Sequence, residues 1–185
     1  MVKRALYRLS VDEYDRMIEH GILTENHNVE LIRGEVVPKM SIGPPHSGCV
    51  RRLNKVLGKL VGEQALLGIQ DPLGLADSEP EPDLMLLVPR DDEYSTSNPQ
   101  PSDVLLVVEV SDTSLDYDRD VKGPLYAENA IVEFWIVNLV EDCVEVHRDP
   151  RPDGTYATIR KALPGESITL ALLPTVSLDV AEILA

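Results

Sequence analysis

The run Val104-Leu105-Leu106-Val107-Val108-Glu109-Val110 is apolar at every position but one and rich in valine. A strand with one wet face alternates polar and apolar residues, whereas a strand covered on both faces reads as a continuous apolar run. The segment therefore predicts a central strand buried on both sides. It also sets a charge problem. A carboxylate at Glu109 loses its water on burial and must recover that loss from a partner, a proton or a metal ion. A second run, Leu84-Met85-Leu86-Leu87-Val88, is entered through Glu81-Pro82-Asp83. Two buried-type strands thus each carry an acid at one end. If the strands are neighbours, Asp83 and Glu109 meet as a divalent-cation site.

The remaining elements follow from local signals. Ser10-Val11-Asp12-Glu13 is a capping-box pattern that predicts a short helix to about His20, ended by Gly21. Val29 to Met40 reads as a hairpin turning at Arg33-Gly34. Pro44-Pro45 opens a long helix, with Val50, Leu53, Leu57, Leu60 and Val61 at helical spacing. Strands are predicted near 65–70, 84–88, 104–110 and 133–138, with hairpin strands near 143–148 and 155–161. The connection 89–103 reads as a polar loop. A helix is predicted near 116–129, another near 179–184, and an apolar strand over 168–173. This order gives a mixed α/β fold, a central mixed sheet flanked by helices, in one domain across residues 1–185.

Composition narrows the function classes. The chain is 43% hydrophobic but only 4% aromatic, so its core must be aliphatic. Cys49 and Cys143 lie far apart and fit no metal spacing, and they read as reduced core residues. No signal-type segment or membrane-length apolar window stands out, which predicts a cytoplasmic protein with no membrane partner. The net charge of -15 is unevenly spread. Residues 36–62 hold 5 bases and no acid, whereas residues 63–120 hold 15 acids and 2 bases. The acid is concentrated around the two candidate metal strands, which favours cations and opposes polyanions. A nucleic-acid partner would have to approach along the basic segment, where Arg51, Arg52, Lys55 and Lys59 lie on the long helix. This face reads as a solvated helix surface unless it adjoins Asp83 and Glu109, in which case it can track a phosphate backbone.

Hydrolysing a phosphodiester at neutral pH needs charge stabilisation at phosphorus and an activated water. Mg2+ supplies both, binding a few carboxylate oxygens and keeping several waters, and Mn2+ substitutes for it. Asp83 and Glu109 offer the carboxylates, and the backbone carbonyl of Val110 a neutral ligand. Lys122 is the candidate for stabilising developing charge or assisting the water. Glu30 in the first hairpin and His46 at the start of the long helix are secondary candidates. On sequence alone Glu30 reads first as an outward residue of an amphipathic strand, and His46 as a structural helix-start histidine.

The ordered set of motifs resembles a known family. Glu81-Pro82-Asp83 followed by Glu109-Val110-Ser111 resembles the PD-(D/E)XK nuclease signature. Tyr7-Arg8-Leu9-Ser10-Val11-Asp12-Glu13-Tyr14, Asn28 to Val36, His46, Glu109 to Ser114, Asp118 to Lys122, Tyr126 and Glu133 to Val137 together resemble the Uma-type restriction endonuclease family of that superfamily, over nearly the whole chain. The resemblance implies a restriction-endonuclease-like core, Mg2+ dependence and cleavage of nucleic acid, with DNA the preferred substrate and a homodimer a common arrangement. It implies Asp83 and Glu109 as metal ligands.

Three positions depart from the pattern. The superfamily lysine two residues after the glutamate is Ser111 here, which moves that role to Lys122. Gly123-Pro124 directly follows Lys122 and suits a helix start rather than an interior. Asn129-Ala130-Ile131 replaces a turn that usually contains glycine. These departures and the acidic charge keep a second reading open, a non-catalytic binding or assembly module with the same fold.

Overall fold

The computed structural model describes residues 6–184. Ser10 caps α1 (Val11–Glu19), and Glu13 returns a hydrogen bond to the Ser10 N–H, as a capping box requires. Strands β1 (Val29–Ile32) and β2 (Glu35–Pro38) form the predicted hairpin. Arg33 and Gly34 both take positive φ at its turn, 50° and 75°. A side chain at Gly34 would place its Cβ 2.9 Å from the Leu9 carbonyl oxygen, so the approach of the incoming chain also requires glycine. Helix α2 (Pro44–Val61) then runs under one face of the sheet.

Six strands make that sheet: β3 (Leu66–Gly68), β4 (Leu84–Leu87), β5 (Val104–Ser111), β6 (Glu133–Asn138), β7 (Cys143–Pro150) and β8 (Tyr156–Ala162), side by side in chain order. Only β5 and β6 are parallel. A parallel pair needs a crossover, and residues 112–132 supply it. Within that crossover lie α3 (Leu115–Tyr117), a π-helical turn over Asp118–Lys122, and α4 (Gly123–Glu128). The predicted helix near 116–129 is therefore three pieces. Its π turn follows from Pro124, which has no N–H to bond the Asp120 carbonyl. The Gly123 N–H instead reaches back five residues to the Asp118 carbonyl.

Strand alternation divides the core into two layers. Leu84, Leu86, Leu106, Val108, Val110, Trp135 and Val137 face α2. Met85, Leu87, Val107, Phe134 and Ile136 face α4 and the segment carrying Leu73 and Leu75. Every residue of β4 and β6 is buried, which is why their sequences show no amphipathic period. Cys49 and Cys143 are buried free thiols.

The C-terminal region differs from expectation. In place of one strand over 168–173 there are two short ones, β9 (Ser167–Thr169) and β10 (Ser177–Asp179), paired antiparallel and followed by α5 (Ala181–Leu184). Ile168, Leu170 and Leu178 turn into the α2 layer, so this apolar stretch caps the core. No helix of the described residues is long and apolar enough to cross a membrane.

Candidate active site

The acids meet because of register. Leu84 lies opposite Val108 in the antiparallel β4–β5 pair. One step further along the same ladder sets Asp83 opposite Glu109. Both share the strand parity of Met85 and Val107, and so both point to the α4 side of the sheet. The Asp83 N–H donates to Glu109 Oε2 at 3.4 Å, and the Val110 N–H donates to Asp83 Oδ2 at 2.8 Å. A strand residue's N–H and C=O point to the same edge, so the Val110 carbonyl is also directed toward Asp83.

Lys122 reaches the pair despite the following Gly-Pro. Its ammonium donates to Glu109 Oε1 at 3.0 Å and lies 3.4 Å from Glu30 Oε2. Pro124 does not divert the lysine. The π turn it imposes adds a residue to the helical path and leaves Lys122 facing β5. Tyr126, one helical turn on, donates its hydroxyl to the same Glu109 oxygen at 2.6 Å. Lys122 and Tyr126 thus occupy Oε1, leaving Oε2 with a single long bond.

Glu30 is buried here, with 3% of its surface exposed, and is not the outward strand residue that its sequence context allowed. The β1–β2 hairpin lies along the chain entering β4, where the Glu79 N–H bonds the Leu31 carbonyl at 2.7 Å. That docking turns Glu30 inward, and its carboxylate accepts from the Glu81 N–H at 3.2 Å. His46 sits in the first turn of α2, where its Nε2 contacts Asp83 Oδ2 at 2.9 Å. Gln70 donates to the other Asp83 oxygen at 3.3 Å. Glu81 is half-buried and paired with Lys39.

Ser111, standing where the superfamily pattern has lysine, is fully buried. It donates to Asp118 Oδ2 at 2.7 Å, and Ser114 donates to the same oxygen at 2.6 Å. Asp118 lies four residues before Lys122 and opens the Asp118 to Lys122 stretch of the family resemblance, the sequence signals that could have found it. Tyr117 carried no such signal.

All of these groups except Tyr126, Val110 and Ser111 line one cavity of about 300 Å3, with Met40 and Ile42 exposed at its edge. Its acids, Glu30, Glu81, Asp83, Glu109 and Asp118, face only Lys39, Lys122 and His46. Burial pushes the Glu109 carboxyl up to about 8, against the pull of Lys122 and with Asp118 and Asp83 adding to the rise. Burial also raises Asp118, with the Ser114 and Ser111 hydroxyls opposing. For Lys122, burial disfavours the charge, but Glu109, Glu30 and Asp118 outweigh it and raise its pKa above the ordinary lysine range.

The donor set suits a small hard cation. Among the described residues no three acidic, histidine or cysteine side chains stand close enough to enclose an ion. Asp83 and Glu109 bring two carboxylates to the cavity in an over-acidic setting, and the buried Val110 next to Glu109 adds a backbone carbonyl directed toward Asp83. Mg2+ binds sites of this open kind, filling its other positions with water. Tetrahedral transition-metal sites instead use closed sulfur and nitrogen sets.

The model of a family described as "Uma2: Putative restriction endonuclease" matches residues 11–181. The fold is similar to the crystal structure of a putative nuclease belonging to DUF820 from Anabaena variabilis ATCC 29413. That match has a TM-score of 0.74 at 15% identity and covers 95% of this chain and 97% of that one. At this identity the likeness is one of fold. No curated protein matches.

Proposed function

The chain belongs to the Uma2 family, described as "Putative restriction endonuclease", and from that premise we propose that it is a Mg2+-dependent nuclease that hydrolyses phosphodiester bonds, with DNA the preferred substrate. The observation that carries this reading is the meeting of Asp83 and Glu109 across β4 and β5, in a cavity with the Lys122 ammonium 3.0 Å from Glu109. Family membership supports nuclease-like activity; metal and substrate are the proposal's own content.

In this reading Asp83, Glu109 and the Val110 carbonyl hold the ion. When bound, Mg2+ neutralises charge at phosphorus and supplies a water of lowered pKa. The protein does the rest by positioning. His46 and Gln70 grip the two Asp83 oxygens, and Tyr126 and Lys122 fix Glu109, so neither carboxylate must reorganise as substrate enters. Lys122 is held charged between Glu109 and Glu30. That suits it to stabilise negative charge at the phosphate rather than to accept a proton. Burial of the site behind the β1–β2 hairpin limits competing water.

The test is cleavage of plasmid and linear DNA, and of RNA, with Mg2+, with Mn2+ and with chelator. Wild-type protein is expected to cut DNA only with a divalent ion. Asp83→Ala, shown to be folded by its melting transition, is expected to lose cutting by at least about 100-fold. Wild type as inert as the variant on every substrate would overturn the proposal.

A further inference from the structure

Tyr117 brings to the cavity wall a buried hydroxyl with no assigned task. It stands on the last residue of α3, immediately before the π turn, and lines the same cavity as Asp83, Glu109 and Lys122. Its ring is half-buried, while its hydroxyl oxygen is buried and has no hydrogen-bond partner in the protein. The charged groups around it are Glu30, Lys122, Asp118 and Glu109. Among the described residues only two other buried side-chain atoms share this condition, His46 Nδ1 and His147 Nε2. His46 is already spent on Asp83 through its other nitrogen. His147 packs among Phe134 and Tyr156, away from the cavity.

An unpartnered buried hydroxyl is costly, by about 1–3 kcal/mol in general, and structures rarely keep one. Phenylalanine would fill the same space without that cost. A phenol is also a donor that stays protonated at neutral pH. It therefore complements what the cavity otherwise lacks. Acids abound there, and Lys122 and Lys39 are both engaged by carboxylates. A phosphate oxygen entering this cavity finds the Tyr117 O–H as a neutral donor that is buried and uncommitted, whereas Asn28 and Ser41 line the same cavity from exposed positions.

We propose that the Tyr117 hydroxyl is a substrate-contacting residue that donates a hydrogen bond to a non-bridging oxygen of the bound phosphate. This rests on the nuclease reading above and adds a residue to it. The contact explains why the position keeps a phenol rather than a phenyl ring. It also gives the site a neutral donor among its acids, where a further positive charge would compete with the metal for Asp83 and Glu109.

The test is Tyr117→Phe, compared with wild type in three measurements. These are the melting transition, calorimetric titration of thymidine 5′-monophosphate in Mg2+, and the rate of DNA cleavage. The variant is expected to melt at or above the wild-type temperature, since no internal bond is lost. Its nucleotide binding should weaken by about 10- to 100-fold, the range for a hydrogen bond to a charged acceptor. Its kcat should fall comparably. Wild-type binding and cleavage in the variant would overturn the assignment and leave the nuclease reading intact. A lowered melting temperature with unchanged nucleotide binding would assign the hydroxyl a structural role through bound water, and would overturn it equally. Wild-type protein that binds the nucleotide but never cleaves would sink the nuclease reading while the binding contrast at Tyr117 still decides this one. Wild-type protein that binds no nucleotide would refute the contact directly.

Discussion

Ala130 shows how one residue can carry strain for the site without touching it. Helix α4 ends in a Schellman arrangement, with the Ile131 N–H bonded to the Tyr126 carbonyl at 3.0 Å and the Ala130 N–H to the Ala127 carbonyl at 3.0 Å. The motif needs a left-handed residue at its centre, and Ala130 takes φ 59° where glycine is usual. Its Cβ makes that conformation cost about 1–2 kcal/mol. Ala130 is exposed, so its methyl group returns little by packing. Ala130→Gly relieves the left-handed cost, but the unfolded chain gains freedom worth about 0.4–1 kcal/mol. The net expectation is a stabilisation of about 0.5–1 kcal/mol, read as a higher urea midpoint at unchanged slope. A destabilised glycine variant would show that the turn is unstrained. The same residues illustrate what sequence could show. The odd Asn129-Ala130-Ile131 was visible against the family pattern, but only backbone angles reveal that Ala130 is where the strain falls.

At the scale of elements, the segment from Leu115 to Glu128 decides the site. Asp83 and Glu109 were legible because each interrupts or closes an apolar run, and a buried acid has few bland explanations. Glu30 was not legible. A four-residue strand reads the same whichever face is covered, and the docking of the hairpin beside Glu79 settles the matter. Tyr117 was hidden for a different reason. A π turn breaks the 3.6-residue period, so helical spacing misassigns the faces of everything around it. The same Gly123-Pro124 that cast doubt on Lys122 is what produces the turn. Pro124→Ala restores the missing N–H and permits regular α-helical bonding through the crossover. Removing one residue from the turn rotates what precedes it by about 100° relative to α4. The variant is therefore expected to keep or gain thermal stability while losing DNA cleavage by about tenfold or more, as the Lys122 ammonium leaves Glu109. Full activity would mean that the turn survives without proline, and its cause would then lie in the packing of Leu125 and Tyr126.

For the whole molecule, the open question is how a chain of net charge -15 approaches a polyanion. Long-range attraction cannot do it, since the summed field repels phosphate. Among the described residues helix α2 offers a basic route. Helix α2 starts at the site, where His46 bonds Asp83, and Arg51, Lys55 and Lys59 lie exposed along it, four residues apart. At 1.5 Å per residue they stand roughly 8, 14 and 20 Å from His46 along the helix axis. Arg52 belongs to the opposite edge of this face, bonding the Ile183 carbonyl at 3.1 Å. If the stripe follows the backbone of the bound strand, each phosphate contact adds about -0.9 to the slope of log affinity against log salt, or about -2.7 for three. Arg51→Glu with Lys55→Glu should then flatten that slope by roughly two contacts and slow cleavage of long DNA. Thymidine 5′-monophosphate fills only the cavity, so its binding should be unchanged in the double variant. Both side chains are exposed, so stability should move by no more than about 0.5 kcal/mol. An unchanged salt slope would make the stripe a solvated helix surface. Substrate would then be drawn in by the metal site alone, and short, flexible strands would be favoured over long duplexes.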